Sequence, residues 1–151
     1  MSQSYLPAGL PIPTPERNGL SAPFWEGLRQ GVIRVQRNPK TGVYQFPPQW
    51  IAHDTQTFDL EWVDVAPTGV IYSWTRVWHP VHPALKDACP YVVVVVEMPH
   101  AGCVRMLGNL LGDPRQEVEI GASVEAVFEH HPDAEPPFSL LQWRVIGGEG
   151  A

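Results

Sequence analysis

The sequence predicts a mainly β protein centred on a small five-stranded barrel. Three observations predict it. The first is the run Pro90-Tyr91-Val92-Val93-Val94-Val95-Val96-Glu97-Met98. Valine is stiff at its first side-chain torsion and suits a pleated surface better than a helix. The run is too short to cross a bilayer as a helix, and its unbroken apolar character predicts a central strand covered on both faces. The second is punctuation: 17 prolines and 13 glycines in 151 residues favour turns and short strands over helices. The third is spacing. About five strand-like runs follow residue 60, each bounded by turn residues, in a length suited to an OB-type barrel.

Taken in order, residues 1–20 are rich in proline and lack periodicity, so they read as an extended arm lying on the body of the protein or on a partner. Residues 21–59 read as a short helix followed by a hairpin. Ser21 is the predicted N-cap, Pro23 sits in the first turn, and Gly31 is the predicted C-terminal stop. Phe24, Trp25 and Leu28 form an apolar stripe at helical spacing, fit either for core packing or for a partner. Val32 to Arg37 alternates as a strand, Asn38-Pro39-Lys40-Thr41-Gly42 turns, and Val43 to Phe46 returns. Pro47-Pro48 ends that arm, and Trp50 to Phe58 is a polar, irregular return.

Residues 60–147 read as the barrel, opening with Leu60 to Val65. Val70 to His79 is a long strand with Val70, Tyr72, Trp74, Arg76 and Trp78 assigned to one face. Residues 80–90 are a loop before the valine strand. Cys103 to Leu110, Ser123 to Glu129 and Leu140 to Ile146 are further strands, with His130 to Pro137 as a loop.

The net charge of −6 gives no electrostatic support for nucleic acid or anionic membranes. The N-terminus lacks a basic start and an apolar signal core, which reads as a cytoplasmic protein. Cys89 and Cys103 lack metal-ligand spacing and are expected as buried thiols, with facing positions on adjacent strands as the alternative. Of six histidines, His79 and His82 flank a Pro-Val pair, and His130 and His131 are adjacent. Neither pair has a carboxylate at a spacing that identifies a dyad or metal triad. No nucleophile elbow and no phosphate loop is present.

Three stretches together carry a family resemblance: PFWEGLRQGVIRVQRNPKTGVYQFPP, GVIYSWTRVWHP, and PYVVVVVEM followed by VRMLGNL and IGASVEAVFE. Over roughly residues 23 to 130 the chain resembles the DUF35-type family, OB-fold proteins with an N-terminal rubredoxin-like zinc ribbon that accompany thiolase-fold and other acyl-CoA enzymes. The family's ribbon carries two cysteine pairs. The matching positions here are Asn38, Thr41, Ala52 and Thr55, none of which supplies the soft or imidazole donors that structural zinc takes. The expectation is a ribbon-shaped hairpin without zinc, its lost metal replaced by packing of Phe46, Trp50, Phe58 and Trp62.

The resemblance implies a non-catalytic accessory subunit beside a thiolase-like enzyme, in a hetero-oligomer acting in lipid, steroid side-chain or polyketide-type acyl-CoA metabolism. Acyl-CoA is then a shared ligand, and no cofactor belongs to this chain alone. Phe24, Trp25, Phe46, Pro47 and Trp50 are the partner-interface candidates. Arg76, His79, Arg105 and Asn109 are the candidates for ligand or partner hydrogen bonds, with Arg76 and Arg105 expected to share a positive patch if their strands are neighbours. Two other readings stand beside it: an acyl-CoA hydrolase or hydratase using His79 or His82, and a nucleic-acid-binding OB module stacking bases on Tyr72 and Trp74.

Overall fold

A computed structural model describes residues 4–12, 14–15 and 19–147. Its elements run α1 (Ala22–Arg29), β1 (Ile33–Arg37), β2 (Tyr44–Gln45), β3 (Glu61–Val65), β4 (Thr68–Val77), β5 (Tyr91–Met98), β6 (Val104–Asn109), β7 (Ser123–His131) and β8 (Phe138–Val145). They form a three-stranded sheet, β2-β1-β3, and a five-stranded sheet, β6-β5-β4-β7-β8.

The helix stops where glycine allows it. Gly31 adopts φ +74°, its N–H bonds the Leu28 carbonyl, and the Val32 N–H bonds the Gly27 carbonyl. These paired bonds satisfy two carbonyls that the helix end would otherwise leave open. Ser21 occupies the N-cap position but does not cap. Its backbone, at φ −86° and ψ 1°, is not in the extended region that aims a capping side chain. Its hydroxyl instead accepts a hydrogen bond from the Trp25 indole at 3.2 Å.

Glu61–Val65, which the sequence places at the barrel entrance, pairs antiparallel along the whole of β1. It therefore extends the hairpin sheet. The five strands that follow have the OB arrangement, curled so that Leu110, just past the end of β6, meets Trp143 of β8 in a parallel bridge. The Leu111 N–H adds a 2.8 Å bond to the Trp143 carbonyl. The two ends of the sheet thus touch without a continuous ladder, and the barrel is not fully closed. Gly108 makes this approach possible: a Cβ there would lie 2.7 Å from both the Leu141 carbonyl oxygen and the Trp143 ring.

The valine strand is internal, between β4 and β6, but it is not covered on both faces. Val92, Val94, Val96 and Met98 are fully buried, while Tyr91, Val93, Val95 and Glu97 are half-buried. One face enters a core shared with Leu28, Ile33, Val35, Ile71, Val124 and Trp143. The other is half-covered, with Ser73 and Leu107 beside Val95 across the strands. Helix α1 and strand β1 contribute to the same core, so the hairpin sheet and the curled sheet share one apolar interior.

The face assigned to β4 is split. Pairing with β5 shifts register between Ile71 and Ser73, a bulge that reverses the alternation beyond it. Trp74 and Arg76 pair with buried Val94 and Val92, whereas the Tyr72 ring lies under the Arg105 guanidinium, 3.6 Å away. The strand β7 continues through His130 and His131, which the sequence assigns to a loop. Both cysteines are free; Cys89 is half-buried and Cys103 is exposed rather than buried.

Candidate functional site

Three of the four positions where the resemblance expects zinc ligands, Asn38, Thr41 and Thr55, come together as a hydrogen-bonded knot around Asp54. Asn38 is 1% exposed. Its amide donates to both Asp54 carboxylate oxygens, at 3.1 and 3.3 Å, and to Thr55 Oγ1 at 3.0 Å. Its Oδ1 accepts the Lys40 N–H, and Thr41 Oγ1 donates to Asp54 Oδ2. Ala52 is fully buried, and its main chain closes the second knuckle through Thr57 and Gln56. Above all the Thr41 hydroxyl bond, then that of Asn38, holds the Asp54 carboxyl below the ordinary carboxylate range.

This donor set does not fit zinc: it is one carboxylate, neutral amide and hydroxyl groups, and a methyl. Among the described residues no group of three or more His, Cys, Asp or Glu side chains could hold a metal. The replacement expected from aromatic packing is not what holds the knuckles. Trp50 is 69% exposed and Phe58 78%, while Phe46 and Trp62 pack against the core as partly buried side chains. Two further amides act as staples. Gln36 bonds the Gln49 main chain in both directions, and Gln45 bonds Ile51 and His53.

An apolar groove of about 660 Å³ gathers most of the predicted interface residues. Phe24, Trp25, Phe46 and Pro47 line it from the helix and hairpin. The Phe24 ring sits 5.2 Å from both Trp25 and Phe46, tilted or edge-on to each. Opposite them run Arg105, Met106, Leu107, Gly108 and Asn109. Five consecutive residues of both parities can line a groove only along a strand's edge, and β6 is the outer strand of its sheet. Leu107 is 67% exposed there. Trp50 is not part of this groove. It belongs with Phe58 and Trp62 in a smaller cleft, of about 290 Å³, at the hairpin sheet.

The polar candidates are dispersed. Arg105 and Asn109 line the groove. Arg105 also bonds Glu97 Oε2 at 2.9 Å, which raises its pKa above the ordinary guanidinium value. The Asn109 N–H donates to Gln142 Oε1. Arg76 is elsewhere. It donates to the Pro114 and Gln116 carbonyls and lies 5.2 Å from the Trp74 ring. Since β4 and β6 flank β5 on opposite sides, and Arg76 pairs with Val92 while Arg105 pairs with Glu97, the two arginines form no common patch. His79 is exposed beyond the end of β4. His82 Nδ1 accepts the Ala84 N–H, capping a short 3-10 turn.

Sequence reasoning missed Glu129. Its side chain is 0% exposed, and its carboxylate receives Ser4 Oγ, the Tyr5 N–H and His131 Nε2 on one oxygen. Gln142 Nε2 donates to the other at 2.8 Å. His131 also stacks on Phe138, with ring centroids 4.7 Å apart. The available signal is Glu129-x-His131, two residues on one face of one strand. Alternation places that face in solvent beside Ser123 and Glu125, both exposed; the N-terminal arm covers it.

The profile of the ChsH2 C-terminal OB-fold domain matches residues 62–129. A chain of the solved Ltp2–ChsH2(DUF35) aldolase superposes with a TM-score of 0.73 at 30% identity, over 87% of this chain and 98% of that one. The chain belongs to the OB-fold DUF35 family. A DUF35 structure from Sulfolobus solfataricus shares the fold, with a TM-score of 0.61 at 18% identity over 85% of this chain and 87% of that one. Two curated relatives also match. A probable enoyl-CoA hydratase alpha subunit of Thermomonospora curvata is 33% identical over 132 residues, 87% of this chain. The 3-oxo-4,17-pregnadiene-20-carboxyl-CoA hydratase alpha subunit of Mycobacterium tuberculosis is 30% identical over 123 residues, 80% of this chain. This DUF35 chain spans 39% and 36% of the length of those two relatives. No helix among its described residues is long and apolar enough to cross a membrane.

Proposed function

We propose that this DUF35 chain is a non-catalytic accessory subunit that binds a thiolase-like enzyme and helps hold or enclose that enzyme's acyl-CoA substrate, in lipid, steroid side-chain or polyketide-type metabolism in the cytoplasm. The observation that carries the reading is the apolar groove where α1 and the hairpin face the edge of β6 and Leu140, Leu141 and Gln142 of β8. It places aromatic side chains at the centre of a surface and polar groups, Arg105 and Asn109, in its wall, the arrangement that protein interfaces favour. Trp50, Ile51 and Phe58 offer a second exposed apolar patch on the hairpin sheet. The contribution to catalysis is positioning and exclusion of water. The partner supplies the reacting groups, acyl-CoA is shared between the two, and the knot around Asp54 does the structural work of the missing zinc. The similarity to a chain of an Ltp2–ChsH2(DUF35) aldolase supports assembly with an enzyme.

The names of the curated relatives favour a second reading, a chain that itself belongs to a hydratase. His82 gives it little support, because its Nδ1 is engaged in capping. Co-expression with the thiolase-like protein encoded nearest to it, followed by size-exclusion chromatography and a zinc assay, tests the proposal. A stable complex without stoichiometric zinc is expected, and Leu107→Glu on the groove wall is expected to break it. A lone chain that ignores the enzyme, yet turns over acyl-CoA until His79 is replaced, would establish the second reading instead.

A further inference from the structure

We propose that Ser4, Tyr5 and Leu6 form a strap that regulates entry to the apolar groove, latched by the buried carboxylate of Glu129. The inference rests on the reading of that groove as the docking surface.

A carboxylate with no solvent contact is costly to bury unless its oxygens are hydrogen-bonded. Glu129 lies within β7, and β8 and its own strand supply two of the donors, Gln142 Nε2 and His131 Nε2. The other two come from the arm: Ser4 Oγ at 3.2 Å and the Tyr5 N–H at 3.0 Å, across more than 120 residues of chain. The arm is therefore fastened at a defined point, by two bonds to one side-chain oxygen. The next residue, Leu6, lines the groove together with Trp25, Leu28 and Gln142.

The latch and the groove wall are also joined from beneath. Gln142 gives its amide N–H to Glu129 and takes the Asn109 N–H on its Oε1. Asn109 is the last residue of β6, the strand whose open edge forms the wall. Arm, carboxylate, glutamine and strand edge thus form one continuous hydrogen-bonded path. In this proposal an apolar segment entering along β6 competes with Leu6 for the groove. Lifting the arm in turn removes the Ser4 and Tyr5 donors from Glu129. Occupancy of the groove and attachment of the arm are consequently opposed, and the strap lowers the apparent affinity for any occupant by the fraction of time it is down.

The test uses the full chain and the neutral apolar fluorophore N-phenyl-1-naphthylamine as probe. Three forms are compared with wild type: Leu6→Ser, which leaves the latch intact; Glu129→Gln, which weakens it; and deletion of residues 1–6. Exchange of the Tyr5 amide with deuterium is followed by NMR. Probe affinity is expected to rise about tenfold in Leu6→Ser and in the deletion, and Tyr5 exchange to accelerate in Glu129→Gln. Affinities within twofold of wild type in both Leu6→Ser and the deletion would overturn the strap, as would a groove that takes no probe in any form. The docking reading fails separately. If Leu6→Ser opens the groove to the probe but no complex with the thiolase-like enzyme forms, the strap stands and the proposed partner does not. If the complex forms and Leu107→Glu breaks it while the arm variants change nothing, only the strap falls.

Discussion

Replacing Asn38 with alanine separates two accounts of what holds the cysteine-free ribbon together. Asn38 is 1% exposed and makes contacts from both ends of its amide: three donor contacts to Asp54 and Thr55, and one accepted bond from the Lys40 N–H. Alanine removes all of them, while the exposed partners Lys40, Asp54 and Thr55 can turn to water. The cost is then that of the lost hydrogen bonds, about 0.5–1.5 kcal/mol net for each. For a chain of this size each kcal/mol corresponds to a fall in Tm of about 2–4 °C. Trp50 and Phe58, at 69% and 78% exposed, have little contact to lose, and their alanine variants are expected to stay within about 0.5 kcal/mol of wild type. Urea unfolding followed by far-UV circular dichroism, with the denaturant slope checked for constancy, measures all three. A neutral Asn38→Ala beside Trp50→Ala or Phe58→Ala variants that each lose more than about 1 kcal/mol would refute the argument. It would return the ribbon's stability to its aromatic residues.

Two further outcomes follow from the same geometry. Gly108→Ala forces a Cβ to 2.7 Å from a main-chain carbonyl and a fully buried indole. Neither yields easily, so a loss of about 1–3 kcal/mol is expected in thermal melts; wild-type stability would mean the two sheet ends are loosely apposed. The second outcome concerns acid. Asp54 is held below its ordinary pKa chiefly by Thr41, and Asp59 chiefly by Lys40. A carboxyl whose folded value lies below its unfolded value, about 3.9, contributes stability that is complete above that pH and lost as pH falls through the folded value. Tm should decline below about pH 4, and the decline should be shallower in Asp54→Asn. Superimposable pH profiles for the two proteins would count against the knot.

Strand identity was legible in the sequence because it depends on local composition, whereas strand partnership was not. The valine run announces β5 through the stiffness of its side chains, and its place inside the sheet follows from its lack of charged interruptions. Its half-covered outer face does not follow, since valine favours a pleated surface whether or not another layer lies above it. Glu61–Val65 reads as a strand, but only the register with Ile33–Arg37 assigns it to the hairpin sheet. Tyr72 illustrates the same limit at one residue. Nothing in the stretch Val70-Ile71-Tyr72-Ser73-Trp74 marks a bulge, yet the bulge leaves Tyr72 on the Arg105 face with Val70 and turns Trp74 to the other.

The site divides along a similar line. The residues that line the groove from α1 and the hairpin were legible because large aromatics on a short helix and beside a Pro-Pro stop need something to pack on. The opposite wall, an open strand edge, depends on β6 being outermost, which is a property of the whole sheet. Asn38 and Glu129 make the sharper case. Asn38 is a turn former in its own right, and Glu129 occupies the polar parity of an alternating strand, so local rules account for both without giving either a role. Each is nevertheless buried, because a distant segment lands on it: the 52–57 knuckle on Asn38, the arm on Glu129. A polar residue that satisfies its local rule and is then covered has to find its partners in the segment that covers it. In this chain those partners, Asp54 with Thr55 and Ser4 with Tyr5, form the fastening points of the ribbon and of the arm.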